Sequence, residues 1–170
     1  MANTELAPED LMIAANVCQE TLRPALDRDW SVKAGDLEWD CRRTLDHVVD
    51  TLFLYAAYLA SRGSERFSPP RNGDPTASPG HLLAAVAAAA AVLTEVVRAT
   101  PPVTRAFHPA GMADVSGWIG MGCEEILLHT DDIARGLEVS YRPPDDLSAR
   151  VLARLFPWAP TDIDPWDSLR

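Results

Sequence analysis

The sequence predicts an all-α domain: a four-helix bundle with an additional short C-terminal helix. Three observations predict it. Apolar residues recur at three- and four-residue spacing through four long segments. Residues suited to helix starts and chain breakers punctuate those segments. No stretch alternates apolar and polar residues as a half-buried strand does. Helices with one apolar stripe each bury it best against one another.

Ala7-Pro8-Glu9-Asp10 sets a proline and two acids where a first helical turn favours them. Leu11, Ala14, Ala15, Val17, Cys18, Leu22 and Leu26 follow with helical spacing, and Pro24 ends or bends this first helix. Asp40 is the expected N-cap of a second helix, Cys41 to about Ser61, striped by Leu45, Val48, Val49, Leu52, Phe53, Ala56 and Leu59. The stretch RGSERFSPPRNGDPTASPG is a loop, long for a compact domain and of the kind that serves as a lid or binding loop. Ser78-Pro79 opens a third helix to about Ala99, whose alanine-rich centre permits a close neighbour, and TPPV stops it. After a second irregular stretch through His108 to Ala113, a fourth helix runs from about Asp114 to Arg135, with Gly136 as the expected C-cap. A shorter helix, Asp146 to Phe156, precedes the Pro/Trp-rich tail PWAPTDIDPW. With no repeat and no internal boundary, residues 1–170 read as a single domain.

Composition narrows the function classes. Twenty-five acidic residues against 15 basic ones give a net charge of −10, which disfavours nucleic acid or an anionic membrane as partner. The longest apolar run, Leu82 to Leu93, is mostly alanine and short for a bilayer span, and the N-terminus lacks the pattern of a signal peptide. Three scattered cysteines, Cys18, Cys41 and Cys123, fit free thiols in a reducing cytosol. The expectation is an acidic cytoplasmic protein.

The chemistry is concentrated in GCEEILLHTDDIARG, 122–136. Gly122, Glu125, His129, Asp132 and Gly136 follow a 3-4-3-4 pattern, the seam that a bundle normally gives to apolar residues. Ile119, Cys123, Ile126, Ile133 and Leu137 flank it, so the polar trio borders the core. A carboxylate there is costly unless paired or metal-bound, and Glu125 and His129 at i and i+4 set an oxygen beside an imidazole, as metal-binding helices do. Spacing alone equally describes an exposed pair near a helix C-terminus. A third ligand has to come from another helix. His47 is the candidate, in WDCRRTLDHVVDTLFLY, with Thr44, Thr51, Leu54 and Tyr58 on its side and Asp46 and Asp50 directed away as solvated surface. Pattern does not decide whether His47 is a core histidine or a ligand.

LEWDCRRTLDHVVDTLFLYA together with EEILLHTDDIARGLEVSYRPP resembles the N-terminal, metal-binding domain of mycothiol-dependent maleylpyruvate isomerases, within the DinB-like superfamily. The family pattern sets a histidine eight positions after a tryptophan at a helix start, as His47 follows Trp39. It then has glutamate, three residues, histidine, two residues, aspartate, as Glu125, His129 and Asp132 do. RLFPWAP and DPW near the C-terminus resemble actinobacterial members. The resemblance implies a four-helix bundle whose second and fourth helices face one cavity. It also implies a divalent metal, usually zinc with nickel or iron as alternatives, held by His47, Glu125 and His129, with Asp132 as a supporting partner. It implies a thiol co-substrate, mycothiol or similar, that adds to a small electrophile for S-transfer or isomerisation. The full isomerases carry a second domain beyond this chain's length, so maleylpyruvate itself is not the expected substrate.

Candidate substrate-binding residues are Arg71 in the long loop and Arg105 before His108, as carboxylate anchors, with Tyr58 and Trp118 as pocket wall. Cys41, Cys123 and Trp158 read as packing residues, His81 as exposed and His108 as a loop residue. Two histidines and one carboxylate also describe the facial triad of non-haem iron enzymes. A non-catalytic ligand-binding bundle with a vestigial metal site, or one that forms a homodimer, is the remaining alternative.

Overall fold

The computed structural model describes residues 5–68 and 73–170. Among them are six helices and one small antiparallel hairpin: α1 (Glu9–Leu22), α2 (Cys41–Ser61), α3 (Pro79–Ala99), β1 (Arg105–His108), β2 (Gly111–Asp114), α4 (Val115–Gly136), α5 (Asp145–Leu155) and α6 (Pro165–Leu169). A single 3-10 turn, Arg23–Ala25, follows α1 where Pro24 removes a helical N–H donor. The starts of the long helices are chemically specified. Asp40 accepts from the Arg43 amide at 2.7 Å, Ser78 from the His81 amide at 3.3 Å and Asp114 from the Gly117 amide at 2.8 Å. Each satisfies an amide that has no partner within its own helix. Arg62, in the left-handed conformation at φ 52, closes α2.

Helix α2 packs on α3 and α4, and α1 packs on the same two, so all four long helices contribute to one apolar cluster. Leu11, Leu22, Leu45, Leu52, Leu59, Leu93, Ile126 and Leu127 are fully buried there. Helix α5 covers α4 through Leu147, Val151 and Leu152, and α6 covers α5 with buried Trp166. The buried Asp10 carboxylate binds the Arg150 guanidinium at 2.7 Å and ties α5 back to α1.

Several expectations change. The stretch through His108 to Ala113 is mostly hairpin: Arg105 pairs with Asp114 and His108 with Gly111, across the two-residue loop Pro109-Ala110. The Phe107 amide donates to the Gly63 carbonyl at 2.8 Å and docks the hairpin on the end of α2. Gly136 is the last helical residue rather than the cap, and the positive φ of 53 falls on Glu138. A Cβ at Gly136 would lie 2.2 Å from the Lys33 carbonyl oxygen and 2.7 Å from Cys41 Sγ, so close approach is what requires the glycine there. The tail forms α6, with Asp164 as its cap. Trp158 is 77 % exposed and lines no core. Asp46 and Asp50 are half-buried rather than fully solvated. Helix α3 spans the 21 residues expected of it, but where the apolar run alone was short for a bilayer, the whole helix is by length and composition apolar enough to cross a membrane, and 44 % of that window is buried inside the protein.

Candidate metal centre

The 27–40 connection and the start of α2 place His47. The Ala34 amide donates to the Trp39 carbonyl at 3.0 Å, and the Cys41 amide to the Val32 carbonyl at 2.9 Å, fixing the chain before the helix. Trp39 then lies against His47, ring centroids 5.0 Å apart, with the Arg43 guanidinium 4.8 Å from the Trp39 ring. On α4, Glu125 and His129 lie one turn apart and face α2. Glu125 Oε2 is 3.5 Å from His47 Nε2 and 3.4 Å from His129 Nε2. One ligand atom from each of the three residues lies within 4.8 Å of the others. The imidazole rings meet edge to face, centroids 5.2 Å apart. All three side chains are partly buried.

Neighbours fix the orientation of these groups. His129 Nδ1 is 3.0 Å from Asp132 Oδ2; as an N–H donor there, it turns Nε2 toward Glu125. Arg135 in turn donates to Asp132 Oδ1 at 2.7 Å. The Tyr55 hydroxyl donates to Glu125 Oε1 at 3.2 Å. Thr51 Oγ1 is 3.4 Å from His47 Nε2. Glu125 Oε2 itself is buried and has no hydrogen-bond partner. Its contacts with the imidazoles exceed the roughly 2.7–2.9 Å of a charge-assisted hydrogen bond, so neither imidazole closes on it. A buried carboxylate oxygen without a donor is expensive, and a cation between it and two imidazole nitrogens would satisfy it. Two nitrogens and one oxygen suit zinc and the neighbouring divalent transition metals, and three protein ligands leave coordination positions open.

The charges are strongly coupled. Burial alone would raise the Glu125 pKa, but His129 and His47 outweigh it and hold the carboxyl at about 2. Burial opposes the His129 charge, yet Asp132 and Glu125 lift its pKa to about 9. Next door, burial and the Glu125 charge push Glu124 up to about 7. The three cysteines are free and buried; burial pushes the Cys18 and Cys41 thiols to about 11 and raises Cys123 further. None has the depressed pKa of a reactive thiol.

Of the residues singled out in the sequence, His47, Glu125 and His129 converge and Asp132 touches one of them. Tyr58 and Trp118 lie deeper: both are buried, their rings stack at 6.3 Å, and the Tyr58 hydroxyl donates to the Phe67 carbonyl at 3.1 Å. Arg105 is on β1, bonded to the Met112 carbonyl and lining a cavity of about 400 Å³ with His108, Met121 and Arg154. Arg71 lies outside the described residues. One neighbour of the cluster, Tyr55, was not singled out. Tyr55 continues the line His47, Thr51, Tyr55 at four-residue steps along one face of α2, a signal present in the sequence. His108, read from the sequence as a loop residue, ends β1, packs edge-on against Tyr55 and Trp118, and has its pKa lowered by burial. Comparison with family models, curated proteins and solved structures gives no match for this chain.

Proposed function

We propose that this chain is a metal-dependent enzyme of the DinB-like kind, a four-helix bundle in which His47, Glu125 and His129 hold a divalent cation, zinc in first place. There a low-molecular-weight thiol such as mycothiol is used for S-transfer to, or isomerisation of, a small electrophile. The observation that carries the reading is the buried Glu125 Oε2, unbonded and aimed between two imidazole nitrogens. The residue pattern Trp39–His47 and Glu125–His129–Asp132 supports it. When bound at such a site, a cation supplies positive charge and open positions that favour thiolate over thiol at neutral pH. The chain's own residues do the rest. Asp132 holds the Nδ1 proton of His129 and so keeps Nε2 directed inward. Trp39 packs against one side of the His47 ring and limits its rotation. No cysteine of the chain is placed to act as the nucleophile, since all three are buried with raised pKa values, so the thiol comes from outside. Three free cysteines accord with work in a reducing cytoplasm.

The ligand set also favours a second reading, a non-haem iron centre. Elemental analysis of protein purified without chelator separates the two, run on wild type beside His47→Ala and Glu125→Ala. Stoichiometric zinc or nickel, lost in both variants, supports thiol chemistry; iron together with oxygen consumption supports the other. Wild type without stoichiometric metal, or variants that retain it, defeats the metal reading altogether.

A further inference from the structure

A glutamate can bind a cation through one carboxylate oxygen or both, and the choice sets how many positions remain for substrate. The two oxygens of Glu125 have different surroundings. Oε1 accepts the Tyr55 hydroxyl at 3.2 Å, whereas Oε2 faces the two imidazoles with no hydrogen bond at all. Tyr55 is 6 % exposed and firmly packed. Its ring meets Trp118 at 5.1 Å and His108 at 5.7 Å, both edge-on, and Trp118 is itself fully buried. The phenol therefore cannot swing away from Oε1 without repacking the core beside the hairpin.

We infer that Tyr55 is a positioning residue that sets the denticity of Glu125: it occupies Oε1, leaves Oε2 as the single carboxylate donor, and so preserves the open coordination positions. The inference rests on the metal reading above. In its absence Oε1 is free to turn inward and become a fourth protein donor, filling a position that the thiol or electrophile needs.

Cobalt(II) is the probe, titrated into the metal-free full chain of wild type, Tyr55→Phe, Tyr58→Phe and His47→Ala. Its visible band is intense in four-coordinate sites and weak in five- or six-coordinate ones. Wild type is expected to show the intense band at one equivalent. Tyr55→Phe is expected to lose intensity by about threefold or more, because a donor is added. Tyr58→Phe also loses a buried phenol hydroxyl, but one bonded to Phe67, and is expected to match wild type. A purely structural role for Tyr55 would move the melting temperature and leave the band alone. Infrared difference spectra of wild type with and without zinc read the same point without a variant: wide splitting of the Glu125 carboxylate stretches marks one-oxygen binding. An unchanged band in Tyr55→Phe, or the narrow splitting of two-oxygen binding in wild type, overturns the inference while the metal reading stands. A wild-type protein with no cobalt band, or one equalled by His47→Ala, overturns both.

Discussion

Metal binding at this cluster should be tied to loss of a proton from His129 over an unusually alkaline range. The metal-free site is already an ion triplet, with the imidazolium of His129 held between Glu125 and Asp132 at a pKa of about 9. Only the neutral imidazole can donate its Nε2 lone pair to a metal. At pH 7 about one protein in a hundred has His129 neutral, so the apparent dissociation constant should be about 100-fold weaker than above pH 9, a penalty of about 3 kcal/mol. Competition against a chromophoric chelator at pH 6, 7, 8 and 9, corrected for the chelator's own protonation, reads this directly. Log affinity should rise by about one unit per pH unit and flatten near pH 9. Stability gives an independent check of sign. A folded-state pKa raised from 6.5 to about 9 stabilises the metal-free protein fully below pH 6.5 and loses that contribution as pH rises through 9. The depressed Glu125 value of about 2 reports the same pairing from the other partner: it is retained above pH 4.5 and lost as pH falls through 2. Metal-free protein should thus lose up to about 3 kcal/mol between pH 6.5 and 9, a loss absent from His129→Gln. A flat log affinity between pH 7 and 9 would refute the reasoning, because His129 would then carry no extra proton for the metal to displace.

Above pH 9, where His129 is neutral with or without its partner, Asp132→Ala should weaken zinc binding by about 10- to 100-fold while leaving the metal-free helical content intact, since His129 loses the acceptor that orients it. Calorimetric titration checks it, and an unchanged affinity would mean that His129 is oriented by packing alone. Arg150→Met should destabilise the fold by about 3–5 kcal/mol, because the Asp10 carboxylate is left buried without its cation. Urea unfolding is the measurement, and a loss below about 1 kcal/mol would place Asp10 in effective contact with water.

What the sequence made legible follows the range of the interactions involved. Helix starts are local events, so Asp40 could be read as a cap and Ser78 and Asp114 as the points where helices begin, and each accepts an amide of its own first turn. The Glu125–His129 pair is likewise local, one turn of one helix. The hairpin is not legible in the sequence because Arg105–His108 and Gly111–Asp114 show no clean alternation and Pro109-Ala110 lacks the Asn-Gly signal of a tight turn. Its Phe107–Gly63 bond depends on where α2 ends in space. Tyr55 sat in plain view at eight residues from His47, but only the approach of α4 gives its hydroxyl a partner.

The two glycines of the α4 seam explain why that approach happens where it does. A Cβ at Gly122 would lie 2.6 Å from Leu11 and 3.0 Å from Leu93, and one at Gly136 would strike Lys33 and Cys41. The seam is bare at both ends, so α4 settles deeply against α1 and α3 at one end and against the 33–41 segment at the other. Glu125, His129 and Asp132 lie between these points and are carried inward with the backbone, to the face where α2 presents His47. Apolar residues at those three positions would bury at no electrostatic cost, and a buried ion cluster is seldom the more stable choice. A chain optimised for packing alone would complete the seam with leucine or alanine. That this one keeps three ionisable groups between its two close contacts, with one carboxylate oxygen unbonded, is physical ground for reading the cluster as a working site.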